Sequence, residues 1–268
     1  MKIFVCIKQV PGVSEVKIDP KTNTLIRSGI PSIINPNDKH AIELGLTIKE
    51  KHGGEVIAIS MGPPQAEQAL REALSMGVDK AYLLTDITFA GADTLATSHT
   101  LALAIKKLLK ESKKSDNYLV ICGTQAIDGD TAQVGPELAE ELGIPQVTYV
   151  LNFELKENRI IVERVFRAEE IVIIESKLPA LISVLKEINN PRNPGIKGIV
   201  DAYEKKKVVF WNSEDLKADK KEVGLNGSMT EVWKIFIPVR KGEHIKLTGT
   251  VEEISDELVK NLKEDKVI

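Results

Sequence analysis

The chain has 268 residues, 43% of them hydrophobic and 28% charged, with a formal net charge of −3. That length can bury a full core, and one α/β domain with an appendage is the economical organisation. The slight negative charge and 4% aromatic content argue against a basic, base-stacking surface, so nucleic acid is not an expected partner. The longest apolar runs are strand-length, so direct membrane insertion is not expected, and the N-terminal run has no signal-peptide pattern. Cys6 and Cys122 each end a predicted buried strand and read as reduced packing residues of a cytoplasmic protein; a disulfide between them is the alternative. His40, His52, His99 and His244 show no metal-ligand spacing, so no metal site is expected.

Residues 2–8 form an apolar run that predicts a first strand, followed by a loop punctuated by proline and glycine. Asn35, Pro36, Asn37 and Asp38 have the chemistry of a helix start: Asn as N-cap, Pro at the first helical position, an acid in the first turn. That helix is expected to run to about Lys51 and stop at Gly53. Strand two is expected over 55–61, with a helix from Gly62 to Met76 ended by Gly77. Strand three is expected over 81–85, then a helix capped by Asp93 or Thr94 and reaching about Lys110. Strand four spans 118–122, and its helix covers 136–142 and closes at Gly143. Strands and helices alternating at this spacing predict a parallel, doubly wound sheet with right-handed crossovers.

After Gly143 the pattern changes. Residues 159–165 and 170–175 predict an antiparallel hairpin, and 178–185 a further strand. The Asn189-Asn-Pro-Arg-Asn-Pro-Gly195 cluster breaks regular structure. The fold class is therefore α/β: a Rossmann-like doubly wound parallel sheet with an antiparallel β extension and a long C-terminal arm. Residues 1–186 are expected to form the nucleotide-binding domain, hairpin included. Residues 187–268 are expected to be a loop and arm covered by another surface, because Ile196, Ile199, Phe210, Trp211, Trp233, Ile235, Phe236 and Ile237 are many apolar residues for a free tail. The alternative is an arm folded back on its own domain.

The stretch 123–135 carries the functional signal. It links a buried strand to the first turn of a helix, where unpaired N–H groups and the positive helix end attract phosphate. It lacks the Gly-Lys-Ser/Thr end of a P-loop and the G-x-G-x-x-G dinucleotide pattern. Gly123, Gly129 and Gly135 permit close backbone approach, and Thr124, Gln125, Thr131 and Gln133 supply neutral hydrogen-bonding groups for an adenine nucleotide. Asp128 and Asp130 would repel phosphate and suit loop caps or ribose hydroxyls better. A loop held only by its own side chains remains the alternative on these residues. No acid–base pair or nucleophile stands out, so no catalytic residue is assigned.

Six segments together resemble the β subunits of electron transfer flavoproteins, over nearly the whole length. They are Val5-Cys-Ile-Lys-Gln-Val-Pro11, Ile34-Asn-Pro-Asn-Asp38, Met61-Gly-Pro63, Ala73-Leu-Ser-Met-Gly-Val-Asp79, Gln125-Ala-Ile-Asp-Gly-Asp-Thr131 and Asn190-Pro-Arg192. The resemblance implies a Rossmann-like subunit paired with an α subunit that carries FAD. It maps a nucleotide site onto Cys6, Asn35, Pro36, Asn37, Asp38 and Met61, and onto Gly123, Thr124, Gln125, Ala126, Ile127, Asp128, Gly129, Asp130, Thr131, Ala132, Gln133 and Val134. In ordinary members that site holds structural AMP. In electron-bifurcating members it holds a second FAD, which takes hydride from NADH. One electron then goes to ferredoxin or flavodoxin, the other through the α-subunit FAD to an acyl-CoA dehydrogenase or a quinone-linked oxidoreductase. Lys8-Gln-Val-Pro11, Phe89-Ala-Gly-Ala-Asp-Thr94 and Gly227-Ser-Met-Thr230 resemble the bifurcating branch, although Met229 stands where similar chains commonly have proline. On that reading Asp93, Thr94 and Thr97 face the flavin; without it they are a well-capped helix start. The resemblance also places a partner-docking loop at Asn190, Pro191 and Arg192 with Ile196 as its apolar anchor, a plain inter-strand connection being the alternative. The expected location remains the cytoplasm read from the cysteines, with membrane association through partner subunits left open. A nucleotide sensor of the universal-stress type is a third reading, by analogy of fold only.

Overall fold

A computed structural model describes residues 1–12, 31–112, 117–167, 170–233 and 245–268. Ile235, Phe236 and Ile237 of the expected arm lie outside them. The chain divides into a compact unit ending at Trp233 and a second unit beyond it.

The first unit begins with β1 (Lys2–Cys6), a short antiparallel pair β2 (Gln9–Pro11) and β3 (Ser32–Ile34), and α1 (Pro36–His52). Then follow β4 (Glu55–Met61), α2 (Glu67–Met76), β5 (Lys80–Leu84), α3 (Thr94–Glu111), β6 (Tyr118–Gly123) and α4 (Val134–Leu142). The extension consists of β7 (Gln146–Lys156), β8 (Arg159–Arg167) and β9 (Glu170–Lys177), and β10 (Ala180–Val184) returns to the centre. Last come α5 (Ile196–Glu204), β11 (Val208–Trp211) and two single turns, α6 (Ser213–Leu216) and α7 (Gly224–Gly227).

Among the described residues the main sheet has the order β11-β5-β4-β1-β6-β10-β7-β8-β9. It is parallel from β11 to β7 and antiparallel beyond. Buried on both faces, its strands read as continuous apolar runs, and alternate side chains enter two cores. Ile3 and Val5 of β1 join the core beneath α1 and α2, whereas Phe4 and Cys6 join the core beneath α3 and α4. The chain steps from β1 to β4 and β5 on one side, then crosses to β6 on the other. That reversal opens a crevice at the carboxyl ends of β1 and β6.

The structure differs from the sequence expectation after residue 186. Residues 187–233 fold back: β11 pairs with β5, and α5 packs on α2. The compact unit therefore ends at Trp233 rather than near residue 186. The breaker cluster ends at Gly195, and nothing after it prevents a helix from starting at Ile196. In the second unit, α8 (Val251–Glu264) is set by a reciprocal capping box: Thr250 Oγ1 accepts from Glu253 N, and Glu253 Oε2 from Thr250 N. No residue of α8 is buried. Among the described residues no helix is long and apolar enough to cross a membrane.

Candidate functional site

The crevice is built from the ends of β1 and β6 and the first turn of α1. Cys6 and Cys122 are direct partners across β1 and β6, both free and buried. The hydrogen bond to Cys6 and then burial push the Cys122 thiol up, so Cys122 stays a protonated packing residue. Asn35 occupies the N-cap position of α1, yet its side chain does not cap the helix. Its amide donates to Asp38 Oδ1 (3.0 Å) and to the Gln125 carbonyl (2.9 Å), while its Oδ1 accepts from Ile127 N (3.2 Å). Asn37 donates to the same carbonyl (2.9 Å). The expected helix-capping asparagine is thus a strut that ties the α1 start to the loop after β6.

Asp38 is the buried acid at the centre. Its Oδ2 accepts from Lys8 N (2.8 Å). Burial pushes its carboxyl up to about 7, against the pull of Asn35 and of the Lys8 and Gly123 N–H groups. Gly123 is required here by space: a Cβ would lie 2.7 Å from the Asn37 carbonyl carbon and would also meet Asp38. Thr124 is locked, its N and Oγ1 both donating to the Val184 carbonyl of β10. Met61 closes β4 two residues beyond Ile59, the neighbour of Cys6, and Pro36 is exposed on the outer side.

Beyond Thr124 the loop rises into solvent. Gly129 and Asp130 N–H groups both return to the Ala126 carbonyl, and Asp130 and Ala132 adopt positive φ. Ile127, Asp128, Gly129, Asp130, Thr131 and Gln133 are exposed around the mouth. Both acids are occupied within the chain: Asp128 pairs with Lys8 Nζ (2.7 Å) and Asp130 accepts from Gln125 Nε2. Gln133 precedes α4 without a side-chain cap. The Val134 and Gly135 N–H groups have no intrahelical acceptor and form the positive end of the helix. This donor set suits an anionic group such as a phosphate: Asp128 is ion-paired to Lys8, Asp130 is held by the neutral Gln125 amide, and Thr131 and Gln133 stand beside it.

The loop after β5 reaches the same region, since Thr94 Oγ1 donates to Glu137 Oε1 in the first turn of α4 (3.1 Å). Burial, with a contribution from Asp93, raises the Glu137 carboxyl. Asp93 caps α3 through Ala96 N and also accepts from Met229 N, Thr230 N and Thr230 Oγ1. Those donors outweigh burial and hold its carboxyl below the ordinary range. Ser98 is buried and donates to Leu95 O. Asp93, Thr94 and Ser98 therefore serve the chain itself, and Thr97 is half-buried beside them.

The segment expected to dock a partner lies apart, along α1. Asn190 and Pro191 lead into Arg192, whose guanidinium grips Glu43 and Glu50, and Ile196 stands 84% exposed. Sequence reasoning missed Lys8 as the partner of Asp128, and His40, Glu43, Glu50 and Asn189 as the seat of this segment. A buried Glu43 between the apolar positions Ile42 and Leu44 was the available signal.

A strand-end crevice at the topological switch, floored by a buried acid and rimmed by an exposed loop on an uncapped helix, defines a Rossmann-like nucleotide-binding protein. The electron transfer flavoprotein domain model matches residues 22–216. The chain is 53% identical to the electron transfer flavoprotein subunit beta of Thermoanaerobacterium thermosaccharolyticum, over the whole of both chains. It is 50% identical to the caffeyl-CoA reductase-Etf complex subunit CarD of Acetobacterium woodii, again over all of both. It is 40% identical to the acryloyl-CoA reductase electron transfer subunit gamma of Anaerotignum propionicum, with full coverage of each. The chain belongs to the electron transfer flavoprotein family, as a β subunit.

Proposed function

We propose that this chain is one half of a heterodimer with an α subunit carrying FAD, and that its own crevice holds a second FAD that receives hydride from NADH. The electrons then part: one passes to ferredoxin or flavodoxin, the other through the α-subunit FAD to an acyl-CoA dehydrogenase or quinone-linked oxidoreductase. The observation that carries the nucleotide assignment is the largely exposed 127–133 rim on an uncapped α4, with Asp128 ion-paired to Lys8 and Asp130 held by Gln125. The relatives named for caffeyl-CoA and acryloyl-CoA reductase complexes support a CoA-linked partner. The resemblance around 89–94 and 227–230 supports the bifurcating branch.

FAD bound here supplies hydride acceptance and release of single electrons. The chain's part is to bind and orient: Asn35 and Asn37 fix the loop, the α4 start takes phosphate, and Ile127 stands exposed at the rim. A second reading, structural AMP with all redox chemistry on the α subunit, is favoured by one observation. Asp93, Thr94 and Ser98, the groups best placed beside a flavin ring, are already bonded within the chain. Nucleotide content of the purified heterodimer decides. Two FAD with NADH-driven flavin reduction is the expected result; one FAD with one AMP assigns the structural role instead.

A further inference from the structure

Arg192 falls within the docking segment, but its side chain is turned inward. Nε donates to Glu43 Oε2 (2.8 Å), Nη2 to Glu43 Oε1 (2.9 Å) and Glu50 Oε2 (3.1 Å), and Nη1 to Glu50 Oε1 (2.5 Å). Its backbone N–H also donates to Glu43 Oε2 (3.0 Å). Four of the five guanidinium N–H donors are thus used on two carboxylates, seven residues apart on one face of α1. Glu43 is 8% exposed, and Arg192 donates three hydrogen bonds to its carboxylate, so loss of Arg192 would leave those buried oxygens without these donors. At the other end of the segment, Asn189 Nδ2 donates to the His40 carbonyl (3.0 Å), and His40 Nδ1 lies 3.0 Å from the Asn189 carbonyl. Pro191 and Pro194 remove backbone freedom between Asn189 and α5.

Beyond the segment, α5 is seated on α2 through buried Ala202 and through Gly198, whose missing Cβ would collide with the Ser75 carbonyl. Ile196 therefore emerges between two fixed points. We propose that Arg192 is a positioning residue: it pins the 189–196 segment to α1, so that Ile196 is presented in place, and does not itself meet the partner. This rests on the proposed function and on the docking role of Ile196 that the family resemblance implies. A segment ordered before contact loses little entropy on docking, so the clamp acts on association without touching the partner. Lysine, a point charge, cannot grip both carboxylates at once.

The test uses the assembled heterodimer with Arg192→Met, Glu50→Gln, their double variant and Ile196→Asp. Two quantities are read: hydrogen exchange of the 189–196 N–H groups without partner, and the rate of electron transfer to an acyl-CoA dehydrogenase flavoprotein. Arg192→Met is expected to raise exchange and slow transfer, each about tenfold. Glu50→Gln, on an exposed carboxylate that leaves the core intact, should do the same more weakly, and the double variant should be no worse than Arg192→Met alone. Slowed transfer in Arg192→Met with unchanged exchange would overturn the inference, because Arg192 would then touch the partner directly. Additive effects in the double variant would overturn it too. Ile196→Asp should slow transfer and leave exchange untouched. If transfer is instead unchanged in that variant, the docking assignment fails, while the exchange data still decide whether Arg192 holds the segment.

Discussion

Asp38 concentrates the tension of the site in one side chain. It is buried, it accepts from Lys8 N and Asn35 Nδ2, and burial still lifts its carboxyl to about 7. Between the ordinary value of 3.8 and about 7, the folded chain retains a proton that the unfolded chain has released. Stability from this group is therefore complete at acid pH and is lost as pH rises through that window, by up to roughly 1.4 kcal/mol per pH unit. Asp38→Asn cannot titrate, and urea midpoints taken from about pH 5 to about pH 8 should show the parent chain losing stability relative to the variant. Parallel curves would place the Asp38 proton elsewhere. Gly123 tests the same contact sterically. Its φ needs no glycine, but a Cβ would press on Asn37 and Asp38. Gly123→Ala should cost about 1–3 kcal/mol in denaturant unfolding and lower the nucleotide content of the heterodimer, since the loop must lift off α1. Full stability with full nucleotide would mean that the loop has room to spare.

At the scale of elements, α2 and α5 cap each other. Arg71 Nη1 of α2 donates to the Ala202 and Lys206 carbonyls at the end of α5, and Lys206 Nζ returns to the Leu74 and Val78 carbonyls at the end of α2. Arg71 of α2 thus satisfies carbonyls at and just past the end of α5, and Lys206, two residues beyond α5, does the same for α2. Gly198 lets them approach, so Gly198→Ala should destabilise the chain by about 1–3 kcal/mol and displace Ile196. Electron transfer to the dehydrogenase should then fall while nucleotide content stays whole; undiminished transfer would show that the seat of α5 does not matter for docking. This pairing was not legible in the sequence, because Asn189–Gly195 hides the helix that begins just after it. By contrast, α1, α3 and α4 were legible from Pro36, Asp93 and Gly143, whose positions at helix ends are local chemistry. Strand β7 was missed because Tyr149, at φ 58°, bulges the strand, and the two-residue alternation restarts beyond it. Strand β11 was missed because four apolar residues after three lysines carry too little pattern. Of the candidate site, strand ends and loop could be read in advance, since topology puts them together. The roles of Lys8, Glu43 and Glu50 could not, because their partners lie 120, 149 and 142 residues away.

For the whole molecule the question is what the second unit is for. Its helix α8 is well started by its capping box, yet Val251, Leu258 and Val259 are exposed, with Ile254 and Leu262 only half-covered. Fourteen residues are near the limit at which an isolated helix holds in water, so an apolar stripe of this kind needs a surface to lie on. The first unit, by contrast, has two complete cores, and its residues 187–233 already cover the sheet. Its stability is therefore expected not to depend on the tail, and assembly with an α subunit is expected to. A chain ended after Trp233 should melt at the temperature of the full chain when each is purified alone. It should fail to co-purify with the α subunit when the two are co-expressed. In the full heterodimer, the N–H groups of α8 should exchange far more slowly than in the isolated β chain, because docking, not propensity, holds the helix. A shortened chain that melts markedly lower would assign the tail to the fold of its own subunit. One that still assembles in full yield would move the α-subunit interface onto the first unit.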